Sequence, residues 1–239
     1  TDQIDLELLP KLFPESFETF GLKIQGVASL SATYKGSVEP ISIKNIQLSS
    51  NVRQTQIRSS RLPFPLTDIS GVIHFDNDTL TWKELSLRYN ERSFNLDGSL
   101  KDLKRPMIET SLQTQDLKAD AKVSYLDDGL SIDSLKGRYS FSTFDVIGRL
   151  DLNKNAALDA KGVFNFDDFS RFPENIYSVI VKATPTGKLN WKGSFKGNLT
   201  EWRKANISLR GETDAMRLIN YPLKNIRLQY KQNDEQIDR

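Results

Sequence analysis

"GVIHFDNDTLTWKELSLRYNERSFNLDGSL" occupies residues 71–100, and "AKVSYLDDGLSIDSLKGRYSFSTFDVIGRL" occupies residues 121–150. When the two stretches are aligned without a gap, eight positions are identical, where chance would give roughly two for sequences of ordinary composition. The pattern therefore indicates a structural repeat. The identical pairs are Asp78/Asp128, Leu80/Leu130, Leu85/Leu135, Arg88/Arg138, Tyr89/Tyr139, Phe94/Phe144, Gly98/Gly148 and Leu100/Leu150.

The apolar residues of both copies recur two positions apart on either side of an Asn/Asp-Asp dipeptide. A period of two is typical of a half-buried strand, and Asn and Asp favour tight turns. Each copy is therefore predicted to be an antiparallel meander of three strands. A further echo joins "LPFPLTDIS" at residues 62–70 to "INYPLKNIR" at residues 219–227, which predicts that another unit begins near the C-terminus of an excerpt from a longer repetitive protein.

The composition favours an antiparallel sheet. Of the 239 residues, 38% are apolar and 27% are charged, and the two kinds are interleaved. Such interleaving is typical of a sheet with one polar face, whereas the strands of a doubly covered parallel sheet are continuously hydrophobic. The predicted fold class is all-β: an elongated, curved antiparallel sheet, or β-groove, of repeated meanders. One or two short helical turns are expected, in the N-terminal stretch to Phe20 and in residues 166–179.

The domain organisation is predicted to be a single repetitive β-groove segment over residues 1–239. It would consist of N-terminal strands at 1–61, one repeat unit at 62–118, a second at 119–175, and a further, incomplete unit at 176–239. The segments between meanders lack the composition shift that marks a flexible linker. We therefore do not predict independent domains.

Several function classes are disfavoured by the residue content. The chain has no cysteine and one histidine, His74, which lies in the polar half of the strand alternation. A solvent-facing strand histidine is the preferred interpretation, and this disfavours histidine-based catalysis and multi-histidine metal sites. The formal net charge is +2, and no basic cluster indicates a nucleic-acid partner. We predict no enzyme, no cofactor and no metal.

Three acidic pairs, Asp76/Asp78, Asp127/Asp128 and Asp167/Asp168, are candidates for catalytic or cation-binding carboxylates. Paired carboxylates serve glycosidases and bind hard cations. The first two pairs, however, fall at the same place in the repeat, where Asn and Asp are preferred for their turn geometry. Turn formation is therefore the favoured interpretation, and a carbohydrate-active protein is the disfavoured one.

The feature that recurs in both copies is an apolar stripe, which is the candidate functional site. A second sheet could cover such a face, as in a sandwich. Alternatively, the sheet curls into a trough whose apolar wall is left open for a ligand. The predicted lipid-binding residues are Ile73, Phe75, Leu80, Trp82, Leu85, Leu87, Tyr89, Phe94, Leu96 and Leu100 in the first copy, and Val123, Tyr125, Leu130, Ile132, Leu135, Tyr139, Phe144, Val146 and Leu150 in the second.

The segment Leu62 to Leu117 resembles the AsmA-like, or TamB-like, family of envelope proteins in Gram-negative bacteria. The similarity comprises a Pro-Leu-x-x-Ile-x-Gly entry, a Leu-rich strand ending in Tyr, a Phe-x-Leu-x-Gly strand and a Pro-led strand ending in Asp-Leu. The residues that carry it are Pro65, Leu66, Ile69 and Gly71; Trp82 to Tyr89; Phe94, Leu96 and Gly98; and Pro106, Ile108, Leu112, Asp116 and Leu117.

The resemblance implies a β-groove in the periplasm, anchored to the inner membrane by a region outside this chain. Phospholipid, or another acyl-chain lipid, would be carried toward the outer membrane, and no catalytic residues belong to the family. The alternative that the family also suggests is a scaffold that assembles outer-membrane proteins through exposed strand edges.

Overall fold

The structure is a computed structural model that describes residues 3–8, 21–36, 45–60, 62–102, 105–171, 185–219 and 221–233, with side chains described only to residue 168 in the fifth range. The chain divides into two compact units, Thr1–Gln115 and Asp116–Arg239. Strands dominate the described part of both units, and the helices described there are short 3-10 turns.

The first unit contains seven described strands, each of which pairs antiparallel with the next along the chain. A 3-10 helix at Leu6–Leu8 follows the first strand. The strands are β1 (Gln3–Asp5), β2 (Leu22–Tyr34), β3 (Ile46–Ser59), β4 (Leu66–Asp76), β5 (Thr79–Tyr89), β6 (Arg92–Lys101) and β7 (Met107–Gln113).

The second unit also contains seven described strands, again paired consecutively and antiparallel. Two 3-10 helices, Phe166–Arg171 and Leu199–Lys204, lie between strands. The strands are β8 (Leu117–Leu126), β9 (Gly129–Tyr139), β10 (Ser142–Asp151), β11 (Asn155–Asn165), β12 (Thr186–Asn198), β13 (Asn206–Leu218) and β14 (Tyr221–Gln232).

This architecture confirms the predicted all-β fold class of antiparallel meanders. The first copy of the repeat folds as β4, β5 and β6, and the second copy as β8, β9 and β10. Asn77 and Asp78 form the first turn with φ angles of 47° and 65°, in the left-handed region that Asn and Asp tolerate. Asp127 and Asp128 form the corresponding turn. The prediction of a turn role is therefore confirmed for Asp78, Asp127 and Asp128, whereas Asp76 is the last residue of β4.

A bulge lies at the same place in both copies. In β5 the register shifts between Trp82, opposite Gly98, and Leu85, opposite Leu96. Because strand side chains alternate, Leu85 would lie on the opposite face from Trp82 if β5 were regular. One extra residue restores Leu85 to the apolar face. The second copy has the equivalent irregularity between Ile132 and Leu135.

Short helical turns occur in the described parts of both stretches where they were predicted. The 3-10 helix Phe166–Arg171 confirms the turn expected in residues 166–179, and a 3-10 helix at Leu6–Leu8 lies in the N-terminal stretch. The other residues that supported that turn, Leu9, Leu12, Phe13 and Phe17, lie outside the described residues. No helix in the described ranges has the length and apolarity needed to cross a membrane.

Asp168 belongs to the third acidic pair, and its side chain is fully buried. Its carboxylate accepts hydrogen bonds from the Phe141 N–H at 3.1 and 3.3 Å and from the Ser142 hydroxyl at 2.6 Å. The Ser142 hydroxyl in turn accepts from the Asn165 N–H at 2.9 Å. Asp168 therefore joins the 3-10 helix to the β9–β10 turn, a structural role.

The boundary between the two compact units, at Gln115/Asp116, lies three residues before the predicted boundary at 118/119. The finer division at 61/62 and 175/176 stays a prediction. The described core is small: in the first unit Leu6, Ala28 and Val52 form the buried cluster. Most of the apolar side chains are therefore to be found elsewhere, on the faces of the sheets.

Candidate functional site

The ten stripe residues predicted in the first copy share one face of the first unit. Residues directly opposite each other in an antiparallel pair point to the same side. The pairs that place the stripe on one face are Ile73 with Trp82 and Phe75 with Leu80 across β4 and β5, and Leu80 with Leu100, Leu85 with Leu96 and Leu87 with Phe94 across β5 and β6. Tyr89 follows Leu87 by two residues on the same strand.

This apolar face extends to strands that the sequence analysis did not include in the site. Leu48 on β3 lies opposite Phe75, and Ala32 on β2 lies opposite Leu48. Ile108 on β7 lies opposite Leu100. The signal that could have found these residues was their own alternation, but assigning them to the same face requires the pairing register.

In the second unit the nine stripe residues again share one face. The pairs that establish it are Val123 with Ile132, Tyr125 with Leu130, Leu135 with Val146 and Leu130 with Leu150, while Phe144 lies opposite Gly137 and Tyr139 lies opposite Ser142. The face continues through strands outside the predicted site, with Leu158, Phe195, Ile207 and Leu228 as further members.

Glycines lie beside several of the large rings on these faces. Gly98 is directly opposite Trp82, and a Cβ added to Gly98 would come within 2.6 Å of the indole ring. Gly137 is opposite Phe144, and a Cβ there would come within 2.3 Å of that ring. The rings therefore occupy space that only a glycine leaves free, and Trp82 lies on the same face as Ile73, its partner across β4 and β5.

The apolar faces are neither buried nor freely exposed. Eighteen of the nineteen predicted stripe residues are half-buried, and Tyr125 is exposed, with 49% of its surface accessible. Within the described residues of each unit, no second sheet packs against the apolar face. The side chains shield one another along the sheet, but a layer that would bury them completely, as in the sandwich alternative, is not found within either unit.

Four surface depressions have volumes of about 580, 660, 240 and 720 Å³ and lie mainly on the polar side of the strands. The two in the second unit are lined by residues such as Lys136, Asp145 and Lys192. One in the first unit is lined by residues that include His74 and Asp76. Two residues of the predicted stripe also reach these depressions, because Phe144 lines one in the second unit and Phe75 lines one in the first. The place of the stripe on the inner wall of a trough stays a prediction.

His74 lies opposite Ser49 and Thr81 on the polar face, as the alternation predicted. Asp76 accepts a hydrogen bond from the Gln47 amide at 3.2 Å. The described residues contain no group of three or more His, Asp or Glu side chains arranged to hold a metal. His74 and Asp76 therefore occupy a hydrated strand surface with ordinary polar neighbours.

No family model matches the chain, and neither a curated protein nor a solved structure shows significant similarity to it. The site is therefore defined by its own geometry: on each unit, one continuous apolar face of a single-layer sheet.

Proposed function

We propose that the chain is a non-enzymatic, lipid-binding segment of a lipid-transfer conduit, in which acyl chains lie along the apolar faces. One observation carries the proposal. Apolar residues from successive strands form a continuous face, yet the predicted stripe has no fully buried member. Contiguous apolar surfaces of this kind are unusual unless they bind something. An acyl chain would complete the burial that the protein leaves unfinished.

The binding free energy expected for an acyl chain on this face suits a ligand that must be both bound and moved. Each methylene group taken out of water contributes roughly 0.8 kcal/mol, so a few methylene groups suffice for binding. Neighbouring strands are about 4.8 Å apart, and seven consecutive strands would cover about 30 Å, roughly twice the length of one acyl chain in a bilayer of about 30 Å hydrocarbon thickness. A repetitive face offers many positions of similar affinity, which favours sliding over trapping.

The resemblance of residues 62–117 to the AsmA-like family gives the proposal a cellular setting. Under it, the chain works in the periplasm, and a region outside this chain anchors it to the inner membrane. The cargo is phospholipid travelling between the inner and outer membranes. No residue is assigned a catalytic role, because no catalytic residues belong to the family that the segment resembles.

A scaffold for assembling outer-membrane proteins is the alternative function, and it requires a strand edge that is open to pairing. Among the described residues, β14 pairs with β13 alone. The strand carries Pro222, Lys224 and Lys231, and Asn225 has a φ of 56°. Proline, lysine and local irregularity are the devices by which proteins block edge pairing. These features favour lipid binding over the scaffold function.

Lipid uptake by the purified chain tests the proposal. Native mass spectrometry should detect co-purified phospholipid, and delipidated protein should take up a fluorescent phospholipid. Leu85→Ser, on the apolar face, should weaken uptake, whereas the neighbouring Ser86→Ala, on the other face, should leave uptake unchanged. Failure of the delipidated, folded protein to take up lipid, or equal uptake by parent and Leu85→Ser, would exclude the proposal.

A further inference from the structure

A row of ionisable side chains crosses the polar face of the second unit. Each member lies directly opposite the next in the pairing register, and all belong to consecutive strands. From β8 to β13, the row consists of Asp120, Lys136, Asp145, Lys161, Lys192 and Arg210. The charges alternate in sign from Asp120 to Lys161. Lys161, Lys192 and Arg210 then form a run of three cations.

Of the three cations on β11, β12 and β13, only Lys161 has a carboxylate directly opposite, that of Asp145 on β10. Lys192 lies between Lys161 and Arg210, and Arg210 faces the uncharged Gln229 on its other side. Lys161 is 3.9 Å from Asp145. Within the described residues neither Lys192 nor Arg210 forms an ion pair. Like charges directly opposite each other destabilise a sheet, so a run of three successive cations costs stability that a bound anion would offset.

Most members of the row also line two surface depressions. The depressions of about 580 and 660 Å³ share five lining residues, which are Lys136, Asp145, Lys161, Lys192 and Arg210. These comprise four cations and one carboxylate. Further carboxylates line one depression each: Asp133 and Asp159 the smaller, and Glu212 the larger. Glu212 lies 3.9 Å from Arg227.

We propose that Lys161, Lys192 and Arg210 bind a phosphate group on the polar face of the second unit, opposite to the acyl-binding face. Arginine matches phosphate oxygens with paired N–H donors, and lysine supplies a compact positive charge. All three side chains are exposed, so a phosphate can reach them without displacing protein. A bound anion would also offset the repulsion along the row. The phosphate can belong to a lipid headgroup at a membrane surface or to a free phosphate compound.

Two probes distinguish these sources. The first is inorganic phosphate, titrated while the NMR signals of the three residues are followed. The second is vesicles that contain phosphatidylglycerol, compared at low salt with vesicles of phosphatidylcholine alone. Phosphate binding without vesicle binding identifies a free phosphate compound, whereas vesicle binding that is competed by phosphate identifies a headgroup. The proposal predicts at least one of these results, and absence of both overturns it.

A matched pair of double variants separates the site from net charge. Lys192→Gln with Arg210→Gln should weaken vesicle binding about thirtyfold, or should abolish the phosphate response. The control, Lys118→Gln with Arg138→Gln, removes the same charges from another directly opposed pair on the same face, but neither residue lines the two depressions. Equal losses in the two variants would overturn the proposal.

Thermal stability gives a second readout. Removing Lys192 relieves the repulsion that it experiences from Lys161 and Arg210, so Lys192→Gln should raise the melting temperature of the unliganded protein. A lower melting temperature for that folded variant would contradict the view that binding, and not folding, accounts for the row. The acyl-binding proposal is unaffected by these outcomes, because it concerns the other face of the sheet.

Discussion

Gly98 and Trp82 illustrate how single residues shape the apolar face. A methyl group at Gly98 would lie 2.6 Å from the Trp82 ring and 2.5 Å from the Glu109 carbonyl oxygen. Because both contacts are closer than atoms tolerate, Gly98→Ala should displace the ring and lower the free energy of unfolding by about 1–3 kcal/mol. Urea titration followed by tryptophan fluorescence measures both effects.

Gly193→Ala is the matched control for Gly98→Ala. A Cβ at Gly193 would meet its nearest atoms, the Ser208 carbonyl oxygen and the Leu209 methyl carbon, at 3.0 and 3.3 Å. The crowding is milder, so the loss of unfolding free energy should be smaller. If Gly98→Ala is as stable as the parent, the close contact between the glycine and the indole ring is not a constraint on the face.

The buried carboxylate of Asp168 makes a second prediction at the scale of the residue. Replacing it with alanine leaves the Phe141 N–H and the Ser142 hydroxyl without their acceptor. Asp168→Ala should therefore lower the free energy of unfolding by about 1–3 kcal/mol, as measured by urea denaturation. Asp167→Ala, next to it but exposed, serves as the comparison. A loss no larger than that of Asp167→Ala would count against the structural role.

Asp133, one of the bulge residues of β9, links stability to pH. Hydrogen bonds from the hydroxyls of Ser124 at 2.6 Å and Ser131 at 2.8 Å hold the pKa of Asp133 below its ordinary value of 3.8. Since the pKa is lowered by folding, the carboxylate contributes stability above pH 3.8, and this contribution is lost as the pH falls through the lowered pKa.

Asp133→Asn should consequently flatten the acid side of the stability–pH curve, as measured by urea unfolding between neutral pH and about pH 3. Ser124→Ala, which removes the stronger donor, should flatten the same region to a smaller extent. A variant curve that runs parallel to the parent curve through this range would show that the Asp133 hydrogen bonds do not stabilise the native state.

At the scale of the element, the bulge in β5 decides which side chains reach the apolar face. Glu84 occupies the bulge with a φ of 51°, and its N–H donates to the Asp97 carboxylate at 2.8 Å. Deleting Glu84 would turn Leu85, Leu87 and Tyr89 to the polar face. The deletion should cost more than about 3 kcal/mol of unfolding free energy, measured by urea denaturation.

Glu84→Gly is the control for the deletion, because it keeps the residue count and glycine adopts positive φ angles freely. Its unfolding free energy should be unchanged or raised by about 1 kcal/mol. If the deletion variant matched the parent in stability, the strand could re-register without loss, and the bulge would not be needed to maintain the apolar face.

The sequence predicts a structural feature when the residues that determine it are close together along the chain. The strands, the Asn77–Asp78 turn and the stripe of the first copy follow from a period of two interrupted by turn residues. Even the bulge is implicit in the spacing of three between Trp82 and Leu85. The buried position of Asp168 is not, because the residues that it binds, Phe141 and Ser142, lie 27 and 26 positions away.

The same limit explains why the cationic row was missed. Lys161, Lys192 and Arg210 are separated by 31 and 18 residues in the sequence, so no window along the chain contains them together. Within β12 alone, the lysines simply alternate with less exposed residues, as on any solvated strand face. Only the pairing register shows that like charges are aligned across three strands.

At the scale of the whole molecule, both units follow one design. Seven described strands pair in chain order, an apolar face forms on one side, and the fully buried hydrophobic residues are few and mostly small. A protein that completed its own core would bury large side chains, whereas Leu85, Phe94 and Val146 stay half-buried. We account for this by proposing that lipid supplies the missing contacts along the two apolar faces.

Site-specific photocrosslinking to phospholipid acyl chains tests that account most directly. A photoreactive residue is placed at Leu87, Leu96 or Val146 on the apolar faces, or at the adjacent Arg88, Asn95 or Asp145 on the polar faces. The account predicts acyl-chain adducts at the first three positions and none at the second three. Adducts of equal yield on both faces, or none at the apolar positions of the folded protein, would contradict it.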